Sequence, residues 1–273
     1  MIELISKTGE RVIPEKFESR EEYLIYLRHL FAYEFAKRKI PKNSSVLEVG
    51  CGEGYGAKLL SQNVAKIIGL DIDKNIIAHA QKKYGSGNCI FSVYDGKKIP
   101  YKDDTFDALI SFQVIEHVRD DKNYVSEIYR VLKRNGIFIL TTPNRTYRLK
   151  PGQKPWNRFH IREYYPHELE DILKSNFLDA KVWGICGNEE IQMIEMERVR
   201  QVLNIISFDP LNLRKLIPGS LKPLIIRTLK RILNRDQRSK ENGDFLDKYS
   251  LDDYRVIQND LGNSLDLLGI CKK

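Results

Sequence analysis

The feature that most constrains this fold is a short apolar stretch that runs into four alternating glycines. Residues Ser45–Val49 are largely apolar and β-branched, which predicts a buried parallel strand. Glycines stand at positions 50, 52, 54 and 56, and residues 57–60 then resume a helical pattern. Backbone N–H groups can approach a ligand closely where no side chain obstructs them. The stretch therefore predicts a nucleotide-sized cradle at the carboxyl edge of a sheet.

The spacing of the glycines separates this loop from the common phosphate-binding loops. A dinucleotide fingerprint that starts at Gly50 needs a glycine where Tyr55 stands, and one that starts two residues later needs a glycine where Ala57 stands. A P-loop needs Gly-Lys-Ser/Thr, which the loop lacks. Glu48 precedes the first glycine by two residues. Its carboxylate would repel a phosphate and attract an ammonium or sulfonium group, so the loop favours a cationic ligand.

Strand and helix patterns alternate over the following part of the chain. After the first strand at 45–49, strands are expected at 66–71, 88–94, 106–111, 137–141 and 179–185, and a last buried strand at 265–271. Helices are expected at 21–39, 74–83 and 123–132, the last closed by a C-cap at 134–136. This alternation predicts an α/β fold with a doubly wound parallel sheet. The segment 188–262 is expected to be mostly helical and to interrupt the alternation.

The positive charge of the chain is concentrated in one segment. Residues 214–240 contain nine Lys and Arg and one acid, Asp236, which accounts for the whole net charge of +8. This distribution argues against a general nucleic-acid-binding surface, and the segment lacks the aromatics that bind single strands. Leucines and isoleucines line one helical face of residues 213–240, which suits an anionic membrane surface or a lipid-linked acceptor. The alternative is that this face packs on its own domain or on a second subunit, as in a homodimer.

The cysteines and the hydropathy of the chain indicate in which cellular compartment we expect the protein. The four cysteines are scattered without a C-x-x-C pair, as is typical of reduced thiols in the cytoplasm. The N-terminus does not read as a signal peptide, and no apolar run approaches the ~18 residues that would span a membrane. We therefore expect a cytoplasmic protein, peripheral to the inner face of the membrane if the basic segment binds lipid.

The glycine loop and the acids that end the next two strands form one pattern. The sequence Glu48-x-Gly50-x-Gly52-x-Gly54 resembles motif I of the class I S-adenosylmethionine (SAM) methyltransferases, and the likeness extends over residues 45–185. It implies a seven-stranded Rossmann-like sheet whose last strand is antiparallel and lies beside the sixth, and SAM as the cofactor. In that fold the cofactor contacts would be Glu48, Gly50, Cys51, Gly52 and Gly54 at the methionine, Asp71 and Ile72 at the ribose, Asp95 and Gly96 at the adenine, and Gln113 in the lining loop. The chain then divides into an N-terminal cap segment and helix (1–44), a SAM-binding core (45–187), a helical basic insertion (188–262) and a final core strand (263–273).

Two outer segments narrow this resemblance. Residues 9–14, with parts of the helix at 27–33, and residues 157–164 are similar to bacterial and archaeal methyltransferases of surface-polysaccharide and glycan pathways. The resemblance implies that the N-terminal residues fold over the cofactor and that Arg11 or Arg28 binds its carboxylate. The alternative is that Arg11 is a solvated surface charge and that Tyr33 only packs the helix.

Methyl transfer to a hydroxyl needs a base with a pKa near neutrality, and two histidines are candidates. His117 lies in Gln113–Val118, which resembles the Glu-x-x-Glu-His metal motif of some ubiquinone-pathway and small-RNA O-methyltransferases. Because Gln113 replaces the first acid, we expect no metal. His117 can instead simply border the cofactor pocket.

The second histidine, His160, lies in a loop with Trp156, Arg158 and Arg162, a set that suits a sugar or a phosphorylated acceptor. The alternative is a loop that docks on the domain. We expect an enzyme that methylates an oxygen of a glycan, sugar or lipid-linked acceptor. A quinone-type or other small-molecule O-methyltransferase and a non-catalytic SAM-binding scaffold stay open.

Overall fold

The structure is a computed structural model that describes residues 14, 17, 19–207 and 245–273. Arg11 and the basic segment 213–240 lie outside the described residues, so the predictions made for them are not addressed by the fold. Among the described helices, none combines the length and the hydropathy that crossing a lipid bilayer requires.

One mixed sheet organises the part of the chain that the structure describes. Its strands are β1 Ser45–Val49, β2 Lys66–Asp71, β3 Cys89–Val93, β4 Phe106–Phe112, β5 Leu132–Pro143, β6 Asp179–Gly187, β7 Tyr254–Ile257 and β8 Asp266–Lys272. Their order across the sheet is β3-β2-β1-β4-β5-β8-β6-β7. The five strands from β3 to β5 are parallel neighbours. Strand β8 runs antiparallel between β5 and β6, and β7 pairs antiparallel with β6.

Helices cover both faces of this sheet. They are α1 Arg20–Lys39, α2 Tyr55–Leu60, α3 Lys74–Tyr84, α4 Asp121–Val131, α5 Arg145–Arg148, α6 Pro166–Lys174, α7 Glu189–Ser207 and α8 Phe245–Lys248. Helices α1, α2, α3 and α7 share one hydrophobic cluster, and α4 and α6 share a second cluster on the opposite face. This three-layer arrangement confirms the predicted α/β fold.

The structure corrects two expectations about local elements. The sheet has eight strands rather than seven, because residues 254–257 within the segment expected to be helical add an edge strand to β6. The C-cap expected at 134–136 is wrong, since α4 ends at Val131 and Leu132 is already extended. Leu132 is fully buried and pairs with Phe106, and the register then jumps to the pair Ala108 and Ile137. Because Leu132 is buried and paired in the sheet, residues 133–136, which contain the glycine, form a bulge within β5 instead of ending the helix.

Candidate functional site

The glycine loop between β1 and α2 has the backbone that its sequence predicts. Gly50, Gly52 and Gly54 have φ angles of 79°, 50° and 83°, a left-handed conformation that other residues rarely adopt. The N–H groups of Gly50 and Cys51 donate to the Leu70 carbonyl at 2.7 and 2.9 Å, which ties the loop to the end of β2. The loop therefore stands at the carboxyl edge of the sheet, where ligands bind in doubly wound folds.

Glu48 lies beneath this loop and is only 1% exposed. The Tyr33 hydroxyl of α1 donates to Glu48 Oε1 at 2.5 Å. Glu48 Oε2 is buried and has no hydrogen-bond partner among the described residues. Burial raises the pKa of Glu48 to about 8, with Asp71 acting in the same direction, although the bond from Tyr33 opposes the shift. An unpartnered buried carboxylate oxygen suits a cationic donor group.

Asp71 ends β2 beside the glycine loop. Its Oδ2 accepts a hydrogen bond from the Gly52 N–H at 3.1 Å, and its Oδ1 accepts one from the Asp73 N–H at 3.0 Å. The next residue, Ile72, is 67% exposed, and a Cβ added at Gly96 would lie 3.1 Å from its Cγ2. The structure thus brings an acid and an exposed apolar side chain to one edge of the sheet, an arrangement that suits a ribose and a planar base.

Asp95 is exposed and caps its own turn. Its Oδ1 accepts hydrogen bonds from the N–H groups of Lys97 and Lys98 at 2.8 and 2.9 Å, and these bonds lower its pKa. The structure gives Asp95 this local role, and its contact with an adenine stays a prediction.

Arg28 and Gln113 both face a buried acid of the last strand, Asp266. Arg28 Nε lies 2.8 Å from Asp266 Oδ2, and Arg28 Nη1 lies 3.6 Å from Glu195 Oε2 in α7. Gln113 Nε2 donates to the same Asp266 oxygen at 3.1 Å and to Thr141 Oγ1 at 3.3 Å. The predicted contacts of Arg28 and Gln113 with the cofactor stay predictions, and they would require these side chains to exchange protein partners.

Four buried carboxylates lie near each other on this side of the sheet, and we call them the acidic cluster. They are Glu116, Glu163, Glu195 and Asp266, each no more than 1% exposed. One oxygen each of Glu116, Glu195 and Asp266 has no hydrogen-bond partner within the described part of the chain. Burial raises the pKa of Glu116 to about 8, and it also raises the pKa of Asp266. Buried acids with displaced pKa values are typical of functional sites rather than of stability alone.

Sequence reasoning missed three members of the acidic cluster. Glu163 stands three residues after His160, a spacing that brings its Oε1 within 2.7 Å of the imidazole Nδ1. Asp266 is the lone acid in an otherwise apolar strand, a signal that the sequence does contain. Glu195 lies on a helix rich in charges, and only the fold shows that it points inward.

The two predicted histidines are brought together. The rings of His117 and His160 pack edge to face with centroids 4.9 Å apart, and His117 Nδ1 lies 3.0 Å from the Phe159 carbonyl oxygen. Ligating atoms of Glu116, His117 and His160 all lie within 4.8 Å of one another, close enough to hold a metal ion. The sequence-based expectation was that no metal binds. One Glu116 oxygen has no partner among the residues that the structure describes, and together with the two imidazoles it nevertheless suits a divalent cation.

The predicted acceptor residues Trp156, Arg158 and Arg162 each contact different neighbours. The Arg162 guanidinium pairs with Asp121 at the start of α4 and donates to the Arg119 carbonyl at 2.7 Å. The Arg158 guanidinium lies 4.4 Å from the ring centre of Phe159. Arg148, which sequence reasoning also missed, lies 4.2 Å from the Trp156 ring centre and pairs with Glu163 at 3.2 Å. These contacts favour the docking alternative for the loop, while acceptor binding by the three residues stays a prediction.

A comparison with protein families matches the part of the chain that runs from strand β1 to strand β5 and contains the glycine loop. Residues 47–140 match the family described as a methyltransferase domain. This stretch is therefore similar to methyltransferase domains. It contains the glycine loop, Asp71, Asp95 and His117, so the comparison and the geometry point to the same edge of the sheet.

Curated relatives extend the similarity beyond residues 47–140. A "probable S-adenosylmethionine-dependent methyltransferase" of Mycolicibacterium smegmatis is 38% identical over 175 residues, which cover 62% of this chain and 63% of the relative. A ubiquinone biosynthesis O-methyltransferase of Pelagibacter ubique is 29% identical over 157 residues, which cover 51% of this chain and 63% of the relative. The chain thus spans less than two thirds of the length of either relative.

A solved structure shows the same fold over most of the chain. A SAM-dependent methyltransferase from Thermotoga maritima superposes with a TM-score of 0.56 at 16% identity, covering 93% of this chain and 94% of that one. At this identity the likeness concerns the fold and not the acceptor. The mixed sheet with an antiparallel end is therefore a Rossmann-like methyltransferase fold.

Proposed function

We propose that this protein is an enzyme that transfers a methyl group from SAM to a hydroxyl oxygen of a glycan or sugar-like acceptor. The observation that carries the proposal is the match of residues 47–140 to a methyltransferase domain, together with a buried carboxylate oxygen of Glu48 under the glycine loop that has no partner among the described residues. When bound, SAM supplies an already activated methyl group. Glu48, the glycine loop and Asp71 would hold it, because they offer a carboxylate, accessible backbone and an acid at the end of β2.

The chain's own task in this reaction is to align the acceptor and to take its proton. Orientation alone can contribute about 7–11 kcal/mol in favourable cases. His160 is our candidate base, because its Nδ1 donates to Glu163 Oε1 at 2.7 Å, a bond that fixes the orientation of the imidazole. Glu163 acts on the reaction only through His160 and is a positioning residue.

The acidic cluster supports a neutral polyol as the group that enters the site. The oxygens of Glu116, Glu195 and Asp266 that have no partner among the described residues can accept hydrogen bonds, and Glu116 can also donate one when it is protonated, since burial raises its pKa to about 8. A sugar hydroxyl can donate to an ionised oxygen and accept from a protonated one, whereas an ionised phosphate or carboxylate can only accept hydrogen bonds. Access requires the loop over the cluster to move, since the Ile161 N–H binds the Glu116 carbonyl at 2.8 Å.

A panel of acceptors tests this proposal directly. Transfer of a labelled methyl group from SAM would be measured with neutral oligosaccharides, lipid-linked glycans and a quinol, and with sugar nucleotides, whose sugar ring carries a phosphate. We expect transfer to ring hydroxyls and none where that ring carries a phosphate. Donor binding without transfer to any sugar or quinol would instead support a non-catalytic scaffold.

A quinone-type O-methyltransferase is the second candidate, favoured by one observation. Glu116, His117 and His160 can hold a divalent cation, which would bind and acidify the hydroxyls of a catechol-like acceptor. The relative from Pelagibacter ubique carries the name of such an O-methyltransferase. The case for a cation depends only on which ligand atoms Glu116, His117 and His160 offer. The glycan proposal does not require one.

Metal removal separates the two candidates. With the glycan acceptor we expect turnover to change less than twofold after dialysis against a chelator, because His160 needs no metal to accept a proton. The measurement is the rate of labelled transfer before and after dialysis and after adding back Mg²⁺ or Zn²⁺. Loss of turnover that a divalent cation restores, and that His117→Ala reproduces, would favour the quinone-type reading.

A further inference from the structure

Tyr33 and Glu48 form a hydrogen-bonded pair beneath the glycine loop. Tyr33 comes from α1, outside the matched residues 47–140, and it is 5% exposed. Its hydroxyl is bound to one oxygen of Glu48 at 2.5 Å, while the other oxygen is unpartnered within the described residues. One side of the carboxyl group is therefore fixed and the other is available.

The Tyr33 ring is held in one position by its surroundings. A Cβ added at Gly56 would lie 1.9 Å from the ring, so the first turn of α2 packs directly on it only because residue 56 is glycine. The ring also contacts Phe112 and Tyr55 edge to face, with centroids 4.9 and 5.6 Å apart. The phenol is thus clamped between α1, α2 and β4, and it cannot follow Glu48 if the carboxyl group moves.

The described side chains that interact most with Glu48 carry no positive charge. The titratable groups that interact with it come from the helix α1, the glycine loop, α2, β2 and β3, and they are Tyr33, Cys51, Tyr55, Asp71 and Cys89. None of these side chains is a cation. Within the described part of the chain, we therefore expect the positive charge near Glu48 to be one that a ligand brings.

We propose that Tyr33 is a positioning residue that fixes Glu48 under the glycine loop, so that binding of the donor's ammonium group displaces one proton from Glu48 to the solvent. This inference rests on the proposed function, because it concerns the same cofactor site. Before binding, Glu48 carries a proton on Oε2, since burial raises its pKa to about 8. On binding, that O–H bond breaks, the proton passes to the buffer, and an ammonium N–H donates to Oε2 while Tyr33 keeps Oε1.

Calorimetric titration with S-adenosylhomocysteine tests the proton release. This product retains the ammonium group and cannot be turned over. At pH 7, titrations in buffers of different ionisation enthalpy should show release of about 0.9 proton, after the titration of the ligand's own amine is subtracted. The affinity should rise roughly 20-fold between about pH 6 and pH 7.5, because the fraction of ionised Glu48 rises by that factor.

Three variants identify the groups responsible. Glu48→Gln should abolish the proton release and flatten the pH dependence. Tyr33→Phe should move the midpoint of the dependence to higher pH, because it removes a hydrogen bond that favours the ionised carboxyl group. Tyr55→Phe removes the hydroxyl of a neighbouring, partly buried phenol and should leave the midpoint unchanged. Thermal melts would confirm that each variant is folded.

The outcomes separate this inference from the proposed function. Wild-type binding without proton release, or a Tyr33→Phe midpoint equal to that of the wild type, would overturn the role of Tyr33 and leave SAM binding standing. No binding at any pH would overturn the proposed function itself.

Discussion

Replacement of His160 by alanine is expected to lower kcat by about 100- to 10,000-fold, the usual contribution of a positioned general base. The affinity for SAM should not change, since the base acts on the acceptor. The measurement is the rate of labelled methyl transfer at saturating SAM, together with donor binding by calorimetry. His160 contacts Glu163 and His117, which places it among the buried polar groups rather than in the glycine loop.

Two further variants distinguish a catalytic role of His160 from a purely structural role. Glu163→Gln keeps the size of the side chain and weakens its hold on the imidazole, so it should lower kcat and shift the acid limb of the pH profile of kcat. Lys174→Gln removes half of an exposed ion pair with Glu170 and serves as the matched control, with expected effects within about 0.5 kcal/mol on stability. If His160→Ala retained wild-type turnover while remaining folded, the histidine would only pack the loop.

Replacement of Asp71 by alanine is expected to weaken SAM binding by about 100-fold or more. Charge-assisted hydrogen bonds contribute about 1.5–3 kcal/mol each, and the two ribose hydroxyls would each donate one to the Asp71 carboxylate. The variant also removes the acceptor for the Gly52 N–H, so the loop loses support at the same time. Calorimetric titration with SAM measures the affinity, and a thermal melt reports whether the chain remains folded.

Asp95→Asn is the matched control for Asp71, because Asp95 is exposed and both of its hydrogen-bond donors belong to its own turn. We expect a smaller loss of affinity for Asp95→Asn than for Asp71→Ala. An unchanged affinity in Asp71→Ala would refute the assignment of this acid to the ribose. Equal losses in the two variants would indicate a general electrostatic effect at the edge of the sheet.

Local patterns in the sequence were sufficient for the first half of the sheet. The strands at 45–49 and 66–71 and the glycine conformations follow from apolar β-branched runs and from residues that tolerate a positive φ. The bulge at 133–136 did not follow, because a helix-ending glycine and a glycine in a strand look alike until the partner strand is known. The edge strand β7 was missed for the same reason, since its pairing partner β6 lies far from it in the sequence.

The sequence by itself determined the fold class, the glycine loop with Glu48, and the acid at the end of β2, because each depends on residues that are neighbours in the chain. Only the tertiary structure decided that Tyr33 binds Glu48, that Asp266 faces Arg28, and that four carboxylates share one buried region. These contacts join residues that are 15 to 238 positions apart. They depend on how α1, α7 and β8 pack across the sheet, and no local periodicity encodes that packing.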